Sequence, residues 1–425
     1  MDMFDFREGR LFCEDVDVNL IADQVGTPVF IYSAGTILDH FDKVDRAWGD
    51  VPHLICYAVK ANSNIAILRL LANRGAGMEV ISQGELFRSL RAGADPQQTV
   101  FTGVGKTAAE MEYALRHDVF LFAVESLPEL LRLNDVAFAL GKTARFAIRL
   151  NPDVDPHTHA HITTGRAVNK FGLDPDSAIE AYERAKDLSN VVAVGIHMHL
   201  GSQIVLSGPY IEAVQKMLAV VERLDRLGIK IEYLDLGGGM GVIYDEEQPC
   251  TADELVGEIK PLVKDLDMTI IMEPGRFVVG NGGILVTQVQ YVKEGPLKRF
   301  VVVDAGMNDL IRPALYGAYH RILSTRNVGP EAIIADVVGP MCETGDTFAK
   351  DRKIAAVSSG DYLAIMTAGA YASSMSSEYN SRPKCAEVLV RGDQFFTIRH
   401  RATLDNLLCN EEIPDFLGQP VPDKT

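Results

Sequence analysis

Four short stretches of the sequence carry residue types suited to chemistry. The first is Cys56-Tyr57-Ala58-Val59-Lys60-Ala61-Asn62, an apolar run that closes on a lysine. A charged amine there is costly unless it is paired or neutral. Desolvation lowers an amine's pKa, and the neutral amine is a nucleophile able to condense with an aldehyde. Position alone does not separate this from a solvated lysine at a strand end. The second stretch runs from Gly195 to Gln203 and holds His197 and His199, which share one face of a strand. The third, Leu236-Gly237-Gly238-Gly239-Met240-Gly241, lets backbone N–H groups approach an anion with no Cβ in the way. The fourth, Met272-Glu273-Pro274-Gly275-Arg276, places a carboxylate, a turn and a guanidinium side by side.

All four lie at the ends of short apolar runs. Such runs occur at 54–59, 78–81, 99–102, 119–124, 145–150, 191–199, 233–236 and 269–272, rich in Val, Ile, Leu or Phe as buried parallel strands are. Between them, helical periods cover 65–73, 84–92, 108–116, 128–140, 176–188, 209–227 and 252–266, with Asn64 and Gly228 as fitting start and stop signals. Eight strands alternating with helices predict a (β/α)8 barrel, with a doubly wound sheet as the alternative. A barrel keeps its chemistry at the carboxyl ends of its strands and often binds phosphate after strands seven and eight. The triple glycine followed by Gly275-Arg276 therefore reads as a phosphate cup. A tight turn explains one or two of those glycines and less readily all three.

Past Pro274 the pattern changes. Alternation at 284–293 and strand-like runs at 300–303, 333–338, 362–366, 387–390 and 395–399 predict a mainly antiparallel β domain, with which the strand-and-turn-like first 27 residues would pack. This domain carries Asp304 to Tyr316 (with Arg312), the turn Cys342-Glu343-Thr344-Gly345-Asp346, and Tyr371 after a strand. Taken singly, Cys342 reads as core, Arg312 as a surface ion pair and Tyr371 as packing.

Several functions are disfavoured. The Gly103 to Thr107 stretch lacks the leading glycine of a P-loop, because position 100 is Val100, and 237–241 lacks Rossmann spacing. His157, His159 and His161, like His197 and His199, alternate as metal ligands do, but no nearby carboxylates complete a ligand sphere and Lys60 would have no role, so no metal is expected. With 58 acidic against 41 basic residues the net charge is −17, which argues against a nucleic-acid or anionic-membrane surface. No apolar run approaches the ~20 residues needed to span a bilayer, and the N-terminus lacks a secretory pattern. Six scattered cysteines without a CxxC pair point to reduced thiols and a cytoplasmic protein.

Together the motifs resemble the barrel-type (alanine-racemase-like, fold type III) pyridoxal-phosphate decarboxylases of basic amino acids. The matching pieces are 57–62, Asn169-Lys170-Phe171-Gly172, 197–203, 237–239, 273–276, 304–316, 342–346 and Ala370-Tyr371, in family order over nearly the whole chain. The resemblance implies a cofactor-binding (β/α)8 barrel over 28–276 and a β domain from 1–27 and 277–425. It implies that Lys60 holds pyridoxal 5'-phosphate covalently, and that Gly237, Gly238, Gly239, Gly275 and Arg276 bind its phosphate with Ser202 nearby. Glu273 would pair with the ring nitrogen, His199 stack on the ring and Tyr371 contact the cofactor, with Glu79, Ser82 and Glu85 in support. Cys342 would return a proton to Cα from the partner subunit of a homodimer with shared active sites.

Substrate choice then rests on the far end of the molecule. A distal carboxylate needs a cation, which Arg276 or Arg312 supplies with Tyr316, and a distal ammonium needs an acid, which Glu343 supplies. Glu after Cys342, where ornithine enzymes of this fold carry Asp, and the run 161–165 resemble the branch acting on diaminopimelate. Decarboxylation of meso-2,6-diaminopimelate to L-lysine and CO2 is therefore expected. The alternatives are the same chemistry on ornithine, arginine or carboxynorspermidine, a non-enzymatic homologue, and a metal hydrolase.

Overall fold

A computed structural model describes residues 2–155, 170–327 and 329–418. Strands β1 (Phe4–Arg7), β2 (Arg10–Cys13) and β3 (Val16–Asp17) form a small antiparallel sheet, followed by helix α1 (Val18–Val25). Leu11, Cys13, Val16, Val18 and Ile21 bury themselves against Val29, Ile284, Val286 and Val388, so this opening segment packs on the large sheet. Asp17 caps α1 through its side chain, a helix that the strand-and-turn reading missed.

Strand β4 (Val29–Ser33) departs from the expected domain limits. It pairs antiparallel with β13 (Gly283–Glu294) and parallel with β19 (Ala386–Arg391). Residues 29–33 thus lie in the large sheet, not in the barrel expected from 28. Helix α2 (Ala34–Trp48) follows and buries Ile37, Phe41, Val44 and Trp48 along one face.

The barrel closes as expected, from eight parallel strands: β5 (His53–Ala58), β6 (Gly77–Val80), β7 (Thr99–Phe101), β8 (Leu121–Val124), β9 (Ala144–Leu150), β10 (Val191–Met198), β11 (Tyr233–Asp235) and β12 (Thr269–Met272). Helices α3 (Ile65–Ala72), α4 (Gln83–Ala92), α5 (Ala108–Arg116), α6 (Leu127–Ala139), α7 (Pro175–Ala185), α8 (Gly208–Arg226) and α9 (Ala252–Val263) join them. After β12 comes only the four-residue α10 (Arg276–Val279). Helix α2 packs on α3, α9 and α10 and so fills the eighth place in the outer ring.

The β domain adds β14 (Arg299–Val303), β15 (Ile322–Ser324), β16 (Ala332–Val338), β17 (Thr347–Ala355), β18 (Tyr362–Ile365) and β20 (Gln394–Arg399) to β4, β13 and β19, with α11 (Arg312–Tyr316) and α12 (Leu404–Leu408) between strands and at the end. Its pairing is mostly antiparallel; β14 with β16 and β4 with β19 are the parallel exceptions. Strand β13 starts directly after α10, and Gly369 lies against the Val279 and Gly280 carbonyls, so the sheet is held against the strand ends that carry the unusual residues.

Candidate active site

A cavity of about 330 Å³ opens at the carboxyl ends of the barrel strands, where the β domain meets them. Lys60, His199, Ser202, Arg276, Arg312, Tyr316 and Tyr371 line it. Lys60 sits in a single 3-10 turn that ends β5, and its side chain is 28% exposed, toward the cavity. Its Nζ donates to both oxygens of Glu79, at 2.6 and 2.7 Å. Glu79 is fully buried on β6 and also accepts the Thr102 hydroxyl. Burial alone would push the Lys60 pKa down; Glu79 above all, with Tyr371 and Glu273, outweighs it and the net shift is upward. The unattached lysine is therefore a paired ammonium, not the desolvated neutral amine that strand position suggested.

Glu273, just past β12, faces His197 from the end of β10, with His197 Nε2 3.3 Å from Oε2. Burial pushes the Glu273 carboxyl up, but His197, Lys60 and Arg149 bring it down below the ordinary value. His199 Nδ1 accepts the Gly238 N–H at 3.2 Å. Burial, then the charges of Lys60 and Arg149, hold its pKa well below normal, so the ring is neutral.

Each glycine of the triplet has a packing reason of its own. A Cβ would collide with the Met198 carbonyl at Gly237, the Glu273 carbonyl at Gly238 and the Gly201 carbonyl at Gly239, and φ is +65° at Gly237 and +112° at Gly239. The tight-turn reading thus accounts for all three. The anion-binding role rests instead on what lies beside them. Gly239 abuts Gly201, and the next residue, Ser202, accepts from Arg276 Nη2 at 2.8 Å and Nε at 3.2 Å. Arg276 also bonds the Tyr244 hydroxyl and lies 4.8 Å from the Tyr371 ring centroid. A Cβ at Gly275 would press on Ala58 and Ala61 at 3.0 and 3.1 Å, inside the turn that holds Lys60.

In the same cavity, Arg312 begins α11. Its Nη1 donates to His320 Nε2 at 2.9 Å, while His320 Nδ1 donates to the Met366 carbonyl at 2.8 Å. That arrangement needs a neutral imidazole, and burial followed by the Arg312 charge pushes the His320 pKa down to about 3. Arg312 Nε is buried without a partner. Tyr244 lies under both guanidiniums, 4.6 Å from Arg312 and 5.7 Å from Arg276. Tyr244 and His320 escaped sequence reasoning because neither sits in an apolar run or a glycine turn.

Cys342 and Glu343 do not line this cavity, nor do Gly237, Gly238, Gly239, Glu273 and Gly275, which lie beside residues that do. Cys342 is exposed and its N–H donates to Asn380 at 3.4 Å; Glu343 is exposed and accepts from the Tyr379 hydroxyl at 2.9 Å. The chain alone does not bring them to Lys60. His157, His159, His161, the run 162–165 and Asn169 lie outside the described residues.

Ser82 caps α4, accepting from Glu85 N at 3.2 Å, and Glu85 accepts the Ile81 N–H at 2.8 Å. Burial, then the Glu79 charge, raises Glu85 to about 7. A raised carboxyl favours the folded state at low pH. Its contribution is complete below the unfolded value of about 4.5 and is lost as pH rises through about 7. Glu85→Gln is therefore expected to fall less in Tm than wild type between about pH 5 and 8, measured by thermal melts across that range.

A family model described as pyridoxal-dependent decarboxylase, pyridoxal binding domain, matches residues 34–280. The chain is 47% identical over 406 residues to the diaminopimelate decarboxylase of Aquifex aeolicus, covering 95% of this chain and 96% of that one. Among solved structures, diaminopimelate decarboxylase from Helicobacter pylori complexed with L-lysine aligns with a TM-score of 0.90 at 42% identity, covering 93% of this chain and 99% of that one. The enzyme from M. jannaschii in complex with L-lysine aligns with a TM-score of 0.93 at 37% identity, covering 98% and 99%.

Proposed function

The chain belongs to the pyridoxal-dependent decarboxylases, among the diaminopimelate decarboxylases, and on that premise we propose how its own residues carry the reaction. It is a pyridoxal-phosphate-dependent carboxy-lyase that removes CO2 from meso-2,6-diaminopimelate to leave L-lysine, the last step of lysine biosynthesis. The observation that carries the assignment of roles is Lys60, whose amine is paired with a buried acid, Glu79, and lines the same cavity as the cation Arg276.

The residues present fit the cofactor. Lys60 offers a primary amine. Glu273 keeps a buried oxygen, Oε1, that meets no donor, and an acceptor out of water needs one; the N–H of a protonated pyridine is such a donor. Arg276 and Ser202 supply a cation and a hydroxyl for phosphate. We assign Lys60 to covalent attachment, Glu273 to the ring nitrogen, His199 to the ring face and Tyr371 to the cofactor's outer side. Ser202, Gly237, Gly238, Gly239, Gly275 and Arg276 are assigned to the phosphate. Bound there, pyridoxal phosphate supplies an aldehyde carbon for the substrate amine and a ring that accepts the electron pair left by CO2.

The protein's part is orientation and proton handling. Lys60 Nζ would lose its ammonium proton to become a nucleophile and regain it when the lysine is freed, and Glu79 beside it favours the charged form. Glu273 stabilises positive charge on the ring nitrogen. Arg312, with Arg276 and Tyr316, binds the distal carboxylate. The β domain's Cys342 donates a proton from Sγ to Cα in the partner's site, with Glu343 on the distal ammonium. That requires a homodimer with shared sites, which the absence of Cys342 and Glu343 from the lining of their own cavity favours. We place the barrel unit at 34–276, the β unit on either side of it, and the protein in the cytoplasm. Free cysteines throughout support a reducing compartment, and among the described residues no helix is long and apolar enough to cross a membrane.

Side-by-side decarboxylation of meso-diaminopimelate, ornithine, arginine and carboxynorspermidine, with and without added pyridoxal phosphate, tests the reading. Diaminopimelate turnover should dominate and depend on the cofactor; ornithine turnover far above it rejects the substrate assignment. Arg312→Ala should lose about 10- to 100-fold in kcat/KM for diaminopimelate, since a hydrogen bond to a charged group is worth roughly 1.5–3 kcal/mol. An unchanged kcat/KM removes Arg312 from substrate recognition.

A further inference from the structure

Three side chains in the barrel interior leave hydrogen-bonding atoms open. His197, Asp235 at the end of β11, and Glu273 bring side-chain atoms within 4.8 Å of one another, and each is at most 3% exposed. The Gly237 N–H donates to Asp235 Oδ1 at 2.9 Å, and His197 takes one side of Glu273. What remains is one acceptor on each acid: Asp235 Oδ2 and Glu273 Oε1 are both buried and meet no donor. Two facing carboxylates do not both stay ionised out of water. A single proton between them turns two orphaned acceptors into one O–H···O bond and leaves a lone pair on the shared Glu273 oxygen.

The surrounding charges decide which acid keeps that proton. His197, Lys60 and Arg149 favour the ionised form of Glu273. Asp235 is pushed up by burial, by Glu273, with which it hydrogen bonds, and by Glu79. We propose that Asp235 is a positioning residue for the decarboxylation. As a neutral acid it donates to Glu273 and, with His197 opposite, fixes the carboxylate that meets the ring nitrogen of pyridoxal phosphate. Its other oxygen anchors the glycine turn at Gly237, so one side chain ties the ring-nitrogen partner to the phosphate side. The proposal rests on the role given above to Glu273.

Full-length wild type, Asp235→Asn and Asp235→Leu test it. Infrared spectroscopy of the cofactor-free protein at about pH 9, where Glu85 at about 7 and Asp309 at about 6 are ionised, should show the carbonyl band of a neutral carboxylic acid. Asp235→Asn should lack it. The asparagine amide keeps a donor toward Glu273 and an acceptor toward Gly237, so the Kd for pyridoxal phosphate should stay within about threefold of wild type. Asp235→Leu keeps neither; it should bind about tenfold or more weakly and shift the pH titration of the bound cofactor's absorbance.

Asp235→Asn as impaired as Asp235→Leu means that a charge is required there, as in an ion pair or on a divalent cation, and overturns the proposal. So does a missing band, or an Asp235→Leu that binds and titrates like wild type. Should Asp235→Leu fail to fold, the band and the Asp235→Asn comparison still decide. The infrared arm needs no cofactor: wild type with the band but without pyridoxal phosphate binding overturns the cofactor reading, and the positioning role with it.

Discussion

Lys60→Ala is expected to lose covalent attachment of pyridoxal phosphate and to decarboxylate diaminopimelate about ten-thousandfold more slowly, or worse. Positioned acid–base groups contribute roughly 10²–10⁴-fold, and this amine also forms and breaks the bond to the cofactor. The variant should remain folded. Lys60 is partly exposed toward a cavity, so truncating it opens no void in the closed core. Its removal does leave Glu79 without its cation, and an unpaired buried carboxylate answers by taking up a proton. Absorbance and single-turnover kinetics measure the effect; a variant retaining the wild-type visible band and rate contradicts it.

Cys342→Ala is expected to keep the cofactor and its absorbance while turnover falls about 10²–10⁴-fold, the range for loss of a positioned proton donor. Cys342 is exposed and does not line its own cavity, so the fold of its own chain does not depend on it. Because the site is taken to be shared, two inactive variants should rescue one another. Mixed and reassembled, Lys60→Ala and Cys342→Ala subunits form hybrid dimers with one intact site. Random pairing then restores about a quarter of wild-type turnover. No recovery, in a mixture shown by mass spectrometry to contain hybrids, rules out the shared site.

The barrel was legible because buried parallel strands leave continuous apolar runs, and β5 to β12 fall within a residue or two of those runs. Helix α2 was less so. Its stripe of Ile37, Phe41, Val44 and Trp48 has helical spacing, but it precedes the first strand, where β/α alternation demands no helix. Only the shortness of α10 gives it a place to pack. Strand β17 was missed because its middle, Lys350-Asp351-Arg352-Lys353, carries the charges of a sheet edge. Residues 29–33 fell inside the limits expected for the barrel, and the pairing that places them in the other sheet has no local signal.

The site divides the same way. Lys60, Glu273 and Arg276 follow from their places at strand ends, and barrel closure brings them together. Tyr244 and His320, which orient the two arginines, come from loops with no periodic signal. Asp235 was hidden as the last polar residue of a strand before a glycine turn. Its consequence depends on Glu273 lying across the barrel interior, a contact no local pattern encodes.

Borohydride reduction of the pyridoxal-phosphate-loaded protein, followed by proteolysis and mass mapping, tests Lys60 as the point of attachment. A single stoichiometric pyridoxyl group is expected on the peptide containing Lys60. A label on another lysine, or none on a chain that still decarboxylates diaminopimelate, contradicts it.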